Sequence, residues 1–181
     1  MQTIRREVTM EIEEKDLSWL AGIMDGEGNI MVSAKKASAN DKRYLAPKVR
    51  VSNTDMRMTR KLSEIYFAMG LKYHFAIANL KNPYLKTAIS INITAQGSCR
   101  KLLKSIIPYL VNKKRMAEIV VDILDFIKPF PKGGNTVRRN YWDTPTMRRL
   151  MEEYSKEKAW SFDPSTTTRR ANSIFEFGDI V

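Results

Sequence analysis

The chain has 181 residues, 43% of them hydrophobic and 28% charged, a balance typical of a globular domain that buries its own core. It carries 31 lysine and arginine against 20 aspartate and glutamate residues, and the resulting formal charge of +11 favours a polyanionic partner. The only cysteine is Cys99, which excludes an intrachain disulfide and the paired-cysteine motifs of zinc and redox sites.

The positive charge is concentrated in the middle of the chain. Residues 1–28 contain 3 basic and 7 acidic side chains, residues 29–130 contain 19 and 6, and residues 131–181 contain 9 and 7. No stretch approaches the roughly 18 apolar residues of a membrane span, and the N-terminus lacks the apolar segment of a signal peptide. We therefore expect no membrane association and a location in the cytoplasm or an organellar matrix.

The first predicted helix covers residues 16–26. Asp16 is suited to its N-cap, and Gly26 and Gly28 end the helical pattern. The apolar side chains that recur at helical spacing are Leu17, Leu20, Ala21 and Met24.

Alternating apolar and polar residues predict two strands, 29–35 and 48–53, joined by the polar loop 36–45. A helix capped by Asp55 follows and ends before Gly70. A second strand pair, helices on either side of Pro108 and a helix starting at Thr144 and Pro145 complete the pattern. Their predicted ranges are 55–69, 72–79, 85–94, 97–107, 114–127 and 144–158.

This order predicts an α+β fold in which helices cover one face of an antiparallel sheet. The side chains expected to face the helices are Ile30, Val32, Val49, Val51, Ile89, Ile91 and Ile93. The opposite, open face is expected to carry Asn29, Met31, Ser33, Lys35, Lys48, Arg50, Ser52, Ala88, Ser90 and Asn92. We predict a single domain over 1–181, with a core of about 16–130 and a C-terminal helical appendage of about 131–181.

The segment LAGIMDGEG, residues 20–28, resembles the nine-residue signature of the LAGLIDADG homing endonucleases in both acidic positions and both glycines. The two helix and hairpin units of that family also follow in order up to about residue 127. The resemblance implies a helix-strand-strand-helix-strand-strand-helix core, C-terminal helices and a sheet that forms a DNA-binding saddle.

Gly22 and Gly26 lie four residues apart with Ala21 nearby, so two copies of this helix can pack almost backbone to backbone. Only one copy of the signature occurs, so the expected enzyme is a homodimer with a roughly palindromic target. The residues expected at the dimer interface are Leu20, Ala21, Gly22, Met24 and Asp25.

Pairing of the two helices would bring two copies of Glu27 together, and paired carboxylates near a phosphodiester attract Mg²⁺. The resemblance assigns metal binding to Glu27 and to the Gly26 carbonyl, with Mn²⁺ or Ca²⁺ as other cations for the site. The family commonly has Asp where this chain has Glu27. Asp25 is expected to fix the helix end rather than to bind metal.

By the same resemblance, Asn53 at the end of the second strand positions a metal-bound water, and Arg57 is the basic residue at the start of the next helix. The segment PYLVNKK, residues 108–114, resembles the one that carries the family's active-site lysine, which falls on Lys113. Lys114 and Arg115 are alternatives for that position. Each residue also has a structural interpretation: Asn53 suits a turn beside Asp55, and the basic residues suit a solvated surface.

Strand residues in a major groove can present alternating side chains to base edges. The residues expected to contact DNA are Asn29, Ser33, Lys35, Lys48, Arg50, Lys72, Ser90 and Asn92. A solvated sheet face shows the same alternation, so the pattern does not separate the two interpretations. His74, the only histidine, is expected at the sheet surface rather than as a general base.

The function predicted on this resemblance is Mg²⁺-dependent, site-specific cleavage of double-stranded DNA by hydrolysis of phosphodiester bonds. The alternatives are an RNA maturase, whose partner is intron RNA, and a catalytically inactive DNA-binding regulator on the same fold.

Overall fold

The computed structural model describes residues 12–36, 43–78, 87–127 and 144–160. In chain order its elements are α1 (Glu14–Glu27), β1 (Gly28–Lys36), β2 (Arg43–Asn53), α2 (Met56–Ala68), β3 (His74–Ala78), β4 (Ala88–Ile93), α3 (Gln96–Ile106), a 3-10 turn (Ile107–Tyr109), α4 (Lys114–Ile127) and α5 (Pro145–Trp160). The predicted α+β class is confirmed. No helix among these residues is long and apolar enough to cross a membrane.

The four strands form one antiparallel sheet in the order β1-β2-β4-β3. Residues of the predicted helix-facing set are buried, including Val49, Val51 and Ile93. They pack in one core with the inner faces of the helices. The sheet therefore keeps a second face that no described helix fills, and β1 begins directly at the end of α1.

β2 is five residues longer than predicted, because its pairing with β1 continues outward to Lys36 and Arg43. Pro47 had suggested a strand that begins at residue 48. It is tolerated here because β4 pairs with β2 only from Val49 onward, so the missing N–H of the proline faces no partner strand.

Two helix starts differ in how well local sequence predicts them. Asp55 caps α2 as predicted, and its side chain accepts from the Arg57 N–H. The predicted capping role of Asp16 is wrong, because α1 begins two residues earlier, after Glu13. Asp16 instead forms an ion pair with Lys61 of α2 at 2.7 Å, which links the two helices.

Two glycines occupy positions where the backbone requires them. Gly70 ends α2 with a φ of +64°, a conformation that other residues adopt only with strain. Gly28 joins α1 directly to β1, and a Cβ there would lie 2.5 Å from the Met24 carbonyl oxygen and 2.8 Å from its Cα. The close turn at Gly28 therefore fixes the direction in which β1 leaves the end of α1.

Helix α5 is capped by Thr144 as predicted, with the Thr144 hydroxyl accepting from the Met147 N–H at 3.2 Å. It packs on α4 and places four side chains in the core: Met147, Leu150, Met151 and Tyr154. The Tyr154 hydroxyl also accepts from the Val32 N–H at 2.9 Å. This bond satisfies a backbone donor on β1, an edge strand whose outer N–H groups have no neighbouring strand.

We expect Tyr154→Phe to lower the free energy of unfolding by about 1–3 kcal/mol, because the ring still packs while the buried Val32 N–H loses its acceptor. Urea unfolding measures the change, and faster exchange of the Val32 amide identifies its source. Tyr73→Phe is the matched control, since its hydroxyl makes a longer bond of 3.3 Å to the Ser63 carbonyl in a partly buried position. Equal stability of Tyr154→Phe and the parent would contradict the prediction.

Candidate active site and nucleic-acid interface

The end of α1 and the end of β2 lie side by side. Gly28, the first residue of β1, pairs with Val51, and Asn53 is only two residues farther along β2. Glu27 is the last residue of α1, and its side chain is exposed. The pairing register therefore places Asn53 next to the junction at Glu27.

Asp25 and Lys113 tie the end of α1 to the segment that precedes α4. The Asp25 carboxylate accepts from the Val111 N–H at 2.7 Å and from the Lys113 N–H at 2.8 Å. In the opposite direction, the Lys113 ammonium donates to the Met24 and Asp25 carbonyls at 2.9 and 2.5 Å. The positive charge of Lys113 thus lies at the negative end of the helix dipole, where it is stabilising.

This arrangement distinguishes Lys113 from its two neighbours. Lys114 is exposed at the start of α4, and Arg115 is bound to Glu153 of α5 at 2.8 Å. Burial lowers the pKa of Lys113 below its usual value, while the charges of Asp25 and Glu27 act in the opposite direction. Of the three basic residues, Lys113 is the one that α1 holds beside Glu27.

Asn53 and Arg57 both interact with Asp55. The side-chain oxygen of Asn53 accepts from the Asp55 N–H at 2.7 Å, so the residue has the turn role that its sequence position also allowed. The Arg57 guanidinium binds the Asp55 carboxylate at 2.8 Å and holds the pKa of that carboxyl at about 2. Among the described residues no acceptor is bound to the Asn53 amide N–H groups, and Arg57 is on the surface.

The oxygen atoms at the end of α1 suit a hard divalent cation. Glu27 contributes an exposed carboxylate, and the Gly26 carbonyl belongs to the last helical turn, whose carbonyls lack intrahelical partners. Mg²⁺ takes about six oxygen ligands and keeps several waters. Two donors from one chain fit such a site when water, phosphate oxygens and a second chain supply the rest. Among the described residues there is no group of three His, Cys, Asp or Glu side chains that could hold a metal.

The open face of the sheet carries most of the residues predicted to contact DNA. Asn29 is exposed, and Ser33, Lys48 and Arg50 are half-buried on that face. Lys35 lies in β1, but its side chain is outside the described part of the structure. Lys72 is exposed and precedes β3 rather than lying in it; its N–H donates to the Ser98 hydroxyl.

Ser90 and Asn92 point to the predicted face but are each only 2% exposed. The burial of both side chains contradicts the expectation that they are available to a base. Ser90 binds Ser52 across the β2–β4 pair, and the side-chain oxygen of Asn92 is buried without a donor among the described residues.

His74 extends the open face beyond the residues predicted to contact DNA. It begins β3 and pairs with Asn92, which in turn pairs with Arg50. The prediction that this histidine is a surface residue of the sheet agrees with its exposed position. Its place in one row with Arg50 and Asn92 depends on strand order, which sequence alternation does not give.

A scan against protein-family models and a search of curated protein sequences gave no match. Among solved structures, the archaeal intron-encoded homing endonuclease I-Vdi141I complexed with DNA matches at a TM-score of 0.59 and 14% identity, over 90% of this chain and 94% of that one. The homing endonuclease I-CvuI, in complex with the I-CreI target, matches at 0.57 and 17%, over 89% and 90%. The group I intron-encoded homing endonuclease I-CeuI complexed with DNA matches at 0.58 and 12%, over 82% and 68%.

The chain has the fold of the LAGLIDADG homing endonucleases. The LAGLIDADG-like segment of this chain forms the C-terminal part of α1, and its residues divide between two sides of that helix. Leu20, Ala21 and Met24 are fully buried in the core of their own chain, so their predicted place on a dimer surface is wrong. Asp25 is likewise occupied by its bonds to the segment before α4.

The outer side of the LAGLIDADG helix is nearly free of side chains. Gly22 and Gly26 are exposed, and a Cβ built on either meets no atom within 4 Å. Ser18, four residues before Gly22, is also exposed. This stripe of small residues, rather than the buried leucine and methionine, is the part of α1 on which a second helix can pack closely.

Two acidic residues of the LAGLIDADG segment should differ in their effect on stability. We expect Asp25→Asn to lower the free energy of unfolding by about 1–3 kcal/mol, since an amide replaces a carboxylate that accepts two N–H bonds. Glu27→Gln is the matched control and should change it by less than about 0.5 kcal/mol, because its side chain is exposed. Urea unfolding of the two variants measures the difference, and a larger loss for Glu27→Gln would show that the roles are reversed.

Proposed function

We propose that this protein is a site-specific endonuclease that cleaves double-stranded DNA by hydrolysis. The observation that carries the proposal is the end of α1, where an exposed carboxylate, Glu27, lies beside the ammonium of Lys113. The Met24 and Asp25 carbonyls hold the Lys113 ammonium at this end of the helix. Phosphodiester hydrolysis requires a carboxylate that can bind a metal cation and, close to it, a positively charged group held in place.

Support for DNA as the partner comes from the charge and shape of the sheet. Residues 29–130, which contain nearly the whole sheet, carry 19 basic against 6 acidic side chains. Lys48 and Arg50 project from the open face in the strand that runs toward the Glu27 end. The three similar proteins named above are complexes with DNA. Binding through such a surface should weaken steeply as salt increases.

In the proposed reaction Glu27 and the Gly26 carbonyl would hold Mg²⁺, which when bound would supply charge neutralisation at the scissile phosphate and an activated water. Lys113 stabilises the negative charge that develops on the phosphate oxygens, and its lowered pKa reflects a site that is partly closed to solvent. Asn53 orients the attacking water through its free amide N–H groups. Arg57, next to it at the start of α2, binds the DNA backbone after exchanging Asp55 for a phosphate.

A homodimer supplies the second half of the site. The stripe of Ser18, Gly22 and Gly26 allows two α1 helices to approach closely, and their ends then bring two Glu27 carboxylates together. The symmetry of such a pair matches a target that is roughly palindromic. Each chain would place one sheet along one half of the target.

We expect the parent protein to cleave a subset of a randomised double-stranded DNA library when Mg²⁺ is present and to lose this activity when the metal is chelated. Glu27→Gln should lower the cleavage rate about 100-fold or more, because metal binding at the phosphate contributes several kcal/mol. Sequencing of the cut products measures both the rate and the site. Glu14→Gln, on the same helix but in its first turn, is the matched control and should cleave like the parent.

Two outcomes would contradict the nuclease. If Glu27→Gln cleaved as fast as the parent, the end of α1 would not be the catalytic centre. If the parent bound the library without cutting it, or bound an intron RNA in preference to DNA, the protein would be a regulator or a maturase on the same fold.

We expect Gly22→Leu to abolish dimer formation without loss of stability. The leucine fits on the single chain, since a Cβ at this residue meets no atom within 4 Å, and leucine is a better helix former than glycine. It would nevertheless hold two α1 helices apart. Light scattering with and without DNA measures the assembly, and Gly97→Leu on the similarly open surface of α3 is the control. A Gly22→Leu variant that stays dimeric would place the interface elsewhere.

A further inference from the structure

Strand register lines up the polar side chains of the open face in rows across the sheet. One row runs Asn29, Arg50, Asn92, His74, from β1 to β3. The next row toward the Glu27 end contains Ser52 and Ser90. Arg50 is therefore flanked on its own strand by a serine two residues ahead, on the same face of β2.

The two serines and Arg50 form a hydrogen-bonded chain. The Nε of Arg50 donates to the Ser52 hydroxyl at 2.7 Å, and the Ser52 and Ser90 hydroxyl oxygens lie 2.6 Å apart. Ser90 is 2% exposed, so the series of hydrogen bonds runs from a buried serine through Ser52 to the Arg50 guanidinium. The Ser52 hydroxyl, which is itself bound to Ser90, therefore holds the Nε of Arg50 in place.

This contact leaves a particular part of the guanidinium available. With Nε occupied, the two terminal nitrogens Nη1 and Nη2 remain as a planar pair of donors. No ion pair between described residues includes Arg50. A planar pair of N–H donors on a strand in the major groove matches the O6 and N7 acceptors of guanine, which is the commonest specific contact of arginine with DNA.

The serine pair is not required to fill the sheet. Replacing both partners of a hydrogen bond with apolar groups of similar shape changes stability little, so two small apolar residues would serve equally well there. The hydroxyls instead hold the Arg50 side chain in one conformation. A side chain already held in its binding conformation loses less conformational entropy when it binds. Arginine benefits most, since its free side chain has many rotamers.

We propose that Ser52 and Ser90 are positioning residues that preset Arg50 to read one guanine in each half of the DNA target. This inference rests on the proposed function, since it needs duplex DNA on the open face. It also assigns Ser90 a role through Arg50 rather than a direct contact with a base, which agrees with its burial.

The test is selection of bound sequences from a randomised duplex library by the full-length protein, without Mg²⁺ so that cleavage does not interfere. We expect the parent to select guanine at one position of each half-site. Arg50→Lys should lower that preference about 5- to 150-fold, because the charge remains while the paired donors are lost. Ser52→Ala and Ser90→Ala should lower it about 2- to 10-fold at the same position only.

Two further variants separate positioning from general damage. Ser52→Thr keeps the hydroxyl and should keep the preference for guanine. Ser105→Ala removes a serine on α3 whose hydroxyl donates to the Lys101 carbonyl, and it should leave the selected sequences unchanged. Urea unfolding of each variant checks that the serine substitutions act on selection and not on folding.

Each result supports or overturns the inference. If Arg50→Lys binds with the parent's preference and salt dependence, Arg50 contacts phosphate, and the guanine assignment is wrong. If both serine variants select the parent's sequences, Ser52 and Ser90 do not position Arg50. In both cases the parent still binds specific DNA, and the proposed function stands. If the parent selects no sequence and binds no duplex, the proposed function fails, and this inference fails with it.

Discussion

The reciprocal bonds between Asp25 and Lys113 are the interaction on which the candidate site depends. Asp25 uses its carboxylate on two backbone N–H groups before α4, and Lys113 returns its ammonium to the last carbonyls of α1. These bonds therefore end the helix, position the Lys113 ammonium and connect the two segments that carry the motif residues. The Asp25 carboxylate is bound within the chain, whereas the carboxylate of Glu27, two residues farther on, is exposed to solvent. Two carboxylates only two residues apart thus differ in their surroundings.

The same helix has one side in the core and one side that carries almost no side chains. At a helical repeat of about 3.6 residues, Leu20, Ala21 and Met24 share one side and are sealed inside the chain. Gly22 and Gly26 share the other side, which presents backbone to solvent. The large residues stabilise the folded chain, and the absence of side chains on the outer side removes the obstacle to close approach by a second helix. Glycines on the inner side would leave the core unfilled, and large side chains on the outer side would obstruct the approach of another helix.

The two faces of the sheet also differ in character. Its helix-facing residues are apolar and largely buried, while its open face has exposed, half-buried and fully buried polar groups in neighbouring rows. On that face Ser90 and Asn92 of β4 are buried, whereas Lys48 and Arg50 of β2 are half-buried. One of the buried polar groups there, the Ser90 hydroxyl, is connected to Arg50 through Ser52, so β4 supports a side chain of the neighbouring strand.

Local features were predictable from sequence because their causes lie within a few residues. The caps at Asp55 and Thr144, the left-handed turn at Gly70 and the alternation of Val49 and Val51 each depend on chain neighbours. The resemblance of residues 20–28 to a known signature also indicated the fold. Only the tertiary structure decided which residues meet. It buried Met24, brought Lys113 rather than Lys114 to the end of α1, extended β2 past Pro47 and placed Ser90 under its neighbours. These outcomes depend on strand order and on which helix faces pack together, and a periodic pattern specifies that a face is apolar or polar without specifying what covers it.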